Sequence, residues 1–412
     1  MTILDDQPRT ALGGAEADAL IEEARRRQRR RWWSIGAVVA IALAGWLGGG
    51  FLGTSKPTPA PKVRPKPVLD VRPGVTGFAW KRISTPFAPS DRFGPLAYDS
   101  ATGQLILMGG SRVMQLHYPA SNVSSEVILD DTWVFAKGSW HRMHPRVSPP
   151  RGSGAGVMAW NPTHRVDAMA YDPVRREIIL VTPPEFASGT TRVLQTSTTW
   201  AWTGTQWSKV FSTGPAWGSI QQGEMVYDPR TLQLVFAPGD GGSTWVLGHS
   251  GWMRGAETPR PFFAMAYDPL TGRLIGSTSV MWWWDGHGWH EYRNLPQESD
   301  LPISTPISGA PMGTGFPVTD EATRQVVVIG DYPGIPIPYA HPTNLFTWLG
   351  GIWRPIQTRT GTTPNNPDGG FSLAYDGALQ AIVAFGADKL VQTKSGAWVP
   401  GPSETWVLTH AG

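Results

Sequence analysis

The chain has 412 residues, of which 48 are Gly, 38 Pro and 21 Trp, and it has no Cys. The missing Cys excludes disulfides, thiolate nucleophiles, Cys-ligated zinc and a lipidated N-terminal Cys, and leaves every redox compartment open. The formal charge of +3 is spread thinly: residues 1–31 carry seven Arg against six acids, and the remainder is close to balance, which is no electrostatic footprint for nucleic acid.

In chain order, a short Arg-rich segment (1–31) comes first and ends in Arg25, Arg26, Arg27, Arg29, Arg30 and Arg31. Residues 32–53 follow without a charge, about 22 positions that at roughly 1.5 Å each just span a hydrocarbon core of roughly 30 Å. Only Lys56 lies close behind. The positive-inside bias predicts one transmembrane helix over 32–53 in the lipid bilayer of the cell membrane, with a cytoplasmic N-terminus and an extracytoplasmic remainder. A cleaved signal peptide also has basic and apolar regions. Here, however, about 24 residues precede the basic run and no small-x-small cleavage site follows the apolar one. A buried core helix would need helical partners, and no other long helical pattern exists. Residues 54–75 hold six Pro from Pro57 to Pro73 and read as an extended spacer.

From residue 76 onward the sequence repeats itself. Its copies are PLAYDSATGQLILMGG from Pro95, AMAYDPVRREIILVTP from Ala168, EMVYDPRTLQLVFAPG from Glu224, AMAYDPLTGRLIGSTS from Ala264, PVTDEATRQVVVIGD from Pro317 and SLAYDGALQAIVAFGA from Ser372. Each reads as a hairpin: an apolar strand, an Asp that bonds backbone N–H groups just beyond it, and a second apolar strand. Asp99, Asp172, Asp228, Asp268, Asp320 and Asp376 are therefore turn formers, ahead of any ligand role. Downstream in each repeat stands an aromatic pair seven apart: Trp133/Trp140, Trp200/Trp207, Trp245/Trp252, Trp282/Trp289 and Phe346/Trp353. Strand, Gly-rich turn, strand is a second hairpin, so each repeat supplies four antiparallel strands, one propeller blade. The tryptophans most simply fill the space between blades. Trp406 lacks its outer partner before the chain stops, whereas residues 77–83 with Trp80 form an orphan strand before the first repeat. The expected fold class is all-β: a six-bladed propeller over 76–412 closed by an N-terminal strand.

These residues resemble the Kelch-repeat propellers, the superfamily that includes galactose oxidase, in their bacterial form. AYDPLTGRLIG, LILMGG, DDTWVF and STWVLGHSGW carry the resemblance, which covers roughly residues 77–412. The double Gly of the pattern occurs only at Gly109 and Gly110. The oxidase branch of that family uses a copper centre with a Cys-crosslinked Tyr, which a chain without Cys cannot build.

In an up-and-down blade the first-to-second and third-to-fourth turns share one face, and the second-to-third and blade-to-blade connections share the other. The first kind is short here. The second kind is long at 111–130, 145–166, 183–197, 294–314, 331–343, 357–370 and 387–402, which makes that face the candidate binding face, crowded around blades one, two, five and six. Its candidate binding residues are Tyr118, Trp160, Trp217, Tyr332, Tyr339 and His341, with His117, His144 and His164 as polar neighbours; none has a diagnostic spacing, and rings in long loops also serve to pin the loop. No HExxH, GxSxG, Walker loop or calcium loop occurs. The DGGSTW stretch at Asp240–Trp245 matches half of a sialidase Asp-box, once and without its first Ser, and reads as turn chemistry. The expectation is a binding or scaffolding module for an envelope protein or glycan, with no cofactor and no catalysis of its own. The alternative is a carbohydrate-active hydrolase or lyase of the envelope, which needs two facing carboxylates, drawn from Glu126, Glu185, Asp331 and Asp388.

Overall fold

A computed structural model describes residues 77–410 apart from 91, 93, 118–121, 150–166, 183–184, 187–192, 196, 212–213, 216–222, 239–240, 261, 263, 279, 293–316, 331–343, 349–352, 357, 359–362, 365–370, 388–389 and 395–397. The anticipated cytoplasmic segment, transmembrane helix and Pro-rich spacer all lie outside these residues. Among the described residues no helix is long and apolar enough to cross a membrane.

The described chain is all-β and forms six antiparallel blades. Blade 1 holds Leu96–Asp99, Gln104–His117, Asn122–Ala136 and Ser139–Met143, and blade 2 holds Ala168–Asp172, Glu177–Thr182, Thr198–Trp202 and Trp207–Phe211. Blade 3 is Glu224–Asp228, Gln233–Ala237, Gly242–Gly248 and Gly251–Thr258; blade 4 is Ala264–Asp268, Arg273–Ser277, Met281–Trp284 and Trp289–Glu291. Blade 5 is Pro317–Asp320, Gln325–Gly330, Asn344–Trp348 and Trp353–Ile356. Blade 6 takes Ser372–Asp376, Ala381–Ala387 and Ser403–His410 from the chain's end, and its outer strand is Phe78–Ile83. That strand runs antiparallel to Ser403–His410, with Trp80 opposite Leu408 and Arg82 opposite Trp406. The innermost strands touch in the order 1-2-3-4-5-6-1, a ring of six.

The core explains why the second strands read as unbroken apolar runs. A blade is covered on both faces, so alternate residues serve different neighbours. Leu105 and Leu107 pack toward blade 6, and Ile106 and Met108 toward blade 2. Six hydrophobic clusters result, one at each seam between adjacent blades.

The six turn aspartates are buried, and each Oδ1 accepts the backbone N–H two residues on: Ala101 at 2.9 Å, Val174 at 2.9, Arg230 at 2.9, Leu270 at 2.9, Ala322 at 3.0 and Ala378 at 2.9. Four residues after each Asp the backbone turns left-handed. Gly103 and Gly272 occupy that position in two blades, and Arg176, Leu232, Arg324 and Gln380 in the others, with φ between 50° and 60°. This turn sets the floor of every blade on one face, called the turn face below. The opposite side is the loop face.

Candidate functional site

The two faces are built differently, and the difference starts in blade 1. Residues 111–130, expected as a loop, are mostly strand: the second strand continues to His117, and the third begins at Asn122. Gly109 and Gly110 make this possible. They take φ of 53° and 96°, and a Cβ on Gly109 would stand 2.7 Å from the Leu129 carbonyl oxygen, so only Gly lets the partner strand approach there. The ladder shifts register between Met108 and Gly110, then runs from Gly110 opposite Leu129 to His117 opposite Asn122. Those residues form a hairpin extending beyond the blade.

Blade 6 adds to it. The stretch 387–402, also expected as a loop, contains strands Leu390–Gln392 and Trp398–Pro400, and Trp398 pairs with Leu116. Together they make one six-stranded sheet spanning two blades on the loop face. In blade 2 the corresponding connection holds a short pair, Glu185–Phe186 with Val193–Gln195. Blades 3 and 4 have short connections, as their sequences suggested.

A buried polar network anchors the base of this projection. Arg92, 3% exposed, donates through Nη1 to Asp131 Oδ1 and to the Gly109 carbonyl at 3.3 Å, and through Nη2 to Asp131 Oδ2 at 3.2 Å. Its Nε and Nη2 also donate to the Ser90 carbonyl and hydroxyl at 3.0 and 2.9 Å. Asp131 further accepts Trp133 Nε1–H at 2.7 Å. Burial pushes the Asp131 carboxyl up, but the hydrogen bond and charge of Arg92, with the Trp133 N–H, outweigh it and hold the group below its ordinary value. Nearby, Ser372 Oγ donates to the Gly94 carbonyl at 2.7 Å, and Ser403 Oγ to that of Pro89 at 2.6 Å, which ties blade 6 to the segment leading into blade 1.

The residues singled out from sequence fare unevenly. Tyr118, Trp160, Trp217, Tyr332, Tyr339 and His341 all lie outside the described residues, as do His164, Asp331 and Asp388. His117 closes the blade 1 hairpin opposite Asn122, and His144 is exposed just beyond Met143. Glu126 and Glu185, expected in loops, stand in strands opposite Val113 and Gln195, because the segments around them pair as ladders. Asp240 is outside the described residues; the rest of its motif starts the third strand of blade 3, where Thr244 Oγ1 accepts Trp289 Nε1–H at 2.8 Å. The turn expected there is present, with Gly241 N–H donating to the Pro238 carbonyl at 3.2 Å and Gly241 and Gly242 at φ of 84° and 93°, and the Thr244 hydroxyl adds a contact between blades. Sequence reasoning missed Arg92 and Asp131. Their trace is an arginine seven positions before the turn Asp and an acid two before the third-strand Trp. Among the described residues no three His, Asp or Glu side chains gather as metal ligands would.

No protein-family model matches the chain, and no curated protein matches it. Among solved structures it is similar to a PQQ-bound aldose sugar dehydrogenase from Streptomyces coelicolor, at 10% identity and a TM-score of 0.43, covering 81% of this chain and 98% of that one. It is also similar to an auxiliary nutrient binding protein from Bacteroides thetaiotaomicron, at 9% identity and a TM-score of 0.44, covering 81% and 77%. A structural genomics protein of unknown function from the same organism stands at 10% and 0.42, covering 81% and 76%. Likeness at this level says nothing about ligand or reaction.

Proposed function

We propose that the chain is a membrane-anchored, extracytoplasmic propeller of the Kelch-repeat type that binds a protein or glycan of the cell envelope through its loop face and performs no chemistry of its own. The observation that carries this reading is the asymmetry of the two faces. The turn face is closed by short Asp turns, whereas the loop face bears a sheet shared by blades 1 and 6 and rooted in the Arg92–Asp131 ion pair. Extended sheet edges recognise partners through their unpaired backbone groups. Phe78 pairs with His410 at the turn-face end of blade 6. Residues 32–53 supply the anchor in this reading.

The test is replacement of residues 113–126 by a short Gly-Ser linker. Thermal unfolding should stay nearly unchanged, since exposed extensions tolerate such edits, while sedimentation with isolated envelope of the purified propeller, residues 76–412 without the 32–53 span, should fall to the level of an unrelated control. Unchanged sedimentation would refute the loop-face assignment. For the anchor, protease added to intact cells should remove the propeller and spare the N-terminus; a protected propeller in cells shown to admit the protease would refute it.

A further inference from the structure

The chain enters blade 1 through one loop-face crossover after Ile83 and leaves it through another after Met143. Both begin on one plan. After the outer-strand Trp come two exposed polar residues and a partly buried apolar one: Trp80, Lys81, Arg82 and Ile83 before the first, Trp140, His141, Arg142 and Met143 before the second. Seven residues beyond each Trp stands an exposed apolar side chain, Phe87 or Val147, and nine beyond it a buried proline, Pro89 or Pro149. Phe87 is 77% exposed and Val147 50%. The crossovers into blades 3 and 4 differ, because Phe211 and Phe262 there pack against the seams.

Phe87 is not exposed because its segment hangs loose. Pro86 and Pro89 fix the backbone on either side of it. Ala88 packs against the cluster between blades 6 and 1, the Pro89 carbonyl accepts the Ser403 hydroxyl at 2.6 Å, and Arg92 bonds both the carbonyl and the hydroxyl of Ser90. A ring held in water by a fixed backbone adds little to the core, yet it can enter a partner's pocket at small ordering cost, as interface anchors do.

The charge at the surface around it has one sign. Residues 81–90 and 141–149 contain Lys81, Arg82, Arg142 and Arg146 and no acid. The acids that meet them lie largely buried beneath. Glu404 bonds Arg82 at 2.6 Å and Asp131 lies 4.0 Å from Arg142; the acid side chains are 8% and 15% exposed, the arginines 62% and 56%.

We propose that Phe87 and Val147 are the apolar anchors of the loop-face site, and that Lys81, Arg82, Arg142 and Arg146 select an acidic polypeptide segment of an envelope protein. This rests on the loop-face reading above and narrows its partner to an acidic protein surface.

Sedimentation of the purified propeller, residues 76–412, with isolated envelope tests it; the six blades are complete within residues 78–410, so this part folds by itself. Phe87→Ser should weaken binding about tenfold or more, the loss of an interface anchor, with thermal unfolding unchanged. Val147→Ser repeats the test at the second crossover, and Val174→Ser, at a comparably exposed turn-face position, should bind as the parent does. Lys81→Glu with Arg146→Glu, or raising salt from about 50 to about 500 mM, should weaken binding severalfold. Envelope digested exhaustively with protease should bind nothing. Undiminished binding to digested envelope, charge reversal without effect, or equal losses from Phe87→Ser and Val174→Ser would each overturn the inference. If the linker replacement of residues 113–126 abolishes binding while Phe87→Ser and Val147→Ser keep it, the inference falls and the loop-face reading stands; if none of the three changes binding, both fall.

Discussion

Removing the side chain of Trp80 tests how the outer strand of blade 6 is used. Trp80 is 9% exposed and packs with Leu345, Ile356 and Trp406 at the seam between blades 5 and 6. Truncating a buried Trp to Ala costs about 3 to 5 kcal/mol. Among the described residues the Trp80 indole N–H has no hydrogen-bond partner, and the lower end, about 3 kcal/mol, is expected. With a urea slope of about 3 kcal/mol per molar, the midpoint should fall by about 1 M. Lys81→Ala, one residue along and pointing to solvent, should change stability by less than about 0.5 kcal/mol. Deleting residues 77–83 should cost at least as much as Trp80→Ala, since it also removes Phe78 and bares the edge of Ser403–His410. Urea unfolding followed by tryptophan fluorescence reads all three. A deletion protein with the midpoint of the parent would show that this strand contributes nothing to blade 6, and the propeller would have to be stable with an open sixth blade.

Two further perturbations probe the faces separately. Asp131→Leu leaves Arg92 buried without its carboxylate and should cost about 3 to 5 kcal/mol, whereas the double change with Arg92→Leu should recover most of that loss; a single variant within about 1 kcal/mol of the parent would remove the ion pair from the account. At the turn face, burial and then the charges of Asp320 and Glu321 push the Tyr375 phenol up to about 12. An unfolded tyrosine ionises near about 10, so this stabilisation is complete below pH 10 and is lost as pH rises from about 10 through about 12. Tyr375→Phe should flatten the fall in stability over that window, and an identical alkaline profile would contradict the environment described.

The repeats were legible because their physics is local. An Asp that closes a tight turn and two aromatics seven apart act within a few residues of themselves, so Asp99 through Asp376 and the Trp pairs could be placed from spacing alone. The strand count of blade 6 was equally legible, because Trp406 and Trp80 each lacked a partner nearby. The blade 1 extension was not. Gly109 and Gly110 read as the start of a loop, and only the close approach of Leu129 shows that they bend a ladder that then continues. Arg92 and Asp131 meet across 39 positions in sequence, and neither sits in a pattern that announces the pair. The Trp–Thr bonds, such as Trp140 to Thr405 and Trp207 to Thr132, likewise join different blades and leave no trace in local spacing.

The most direct test of the proposed binding face is site-specific photo-crosslinking in living cells from two matched positions. Val127 on the loop-face hairpin is 40% exposed and Leu270 on the turn face is 37% exposed, so access alone does not distinguish them. A photoreactive residue at Val127 should yield a discrete covalent adduct with an envelope protein or glycan that disappears when residues 113–126 are replaced by the Gly-Ser linker, and the same residue at Leu270 should yield none. Adducts from Leu270 with none from Val127 would place the partner on the turn face and contradict the account.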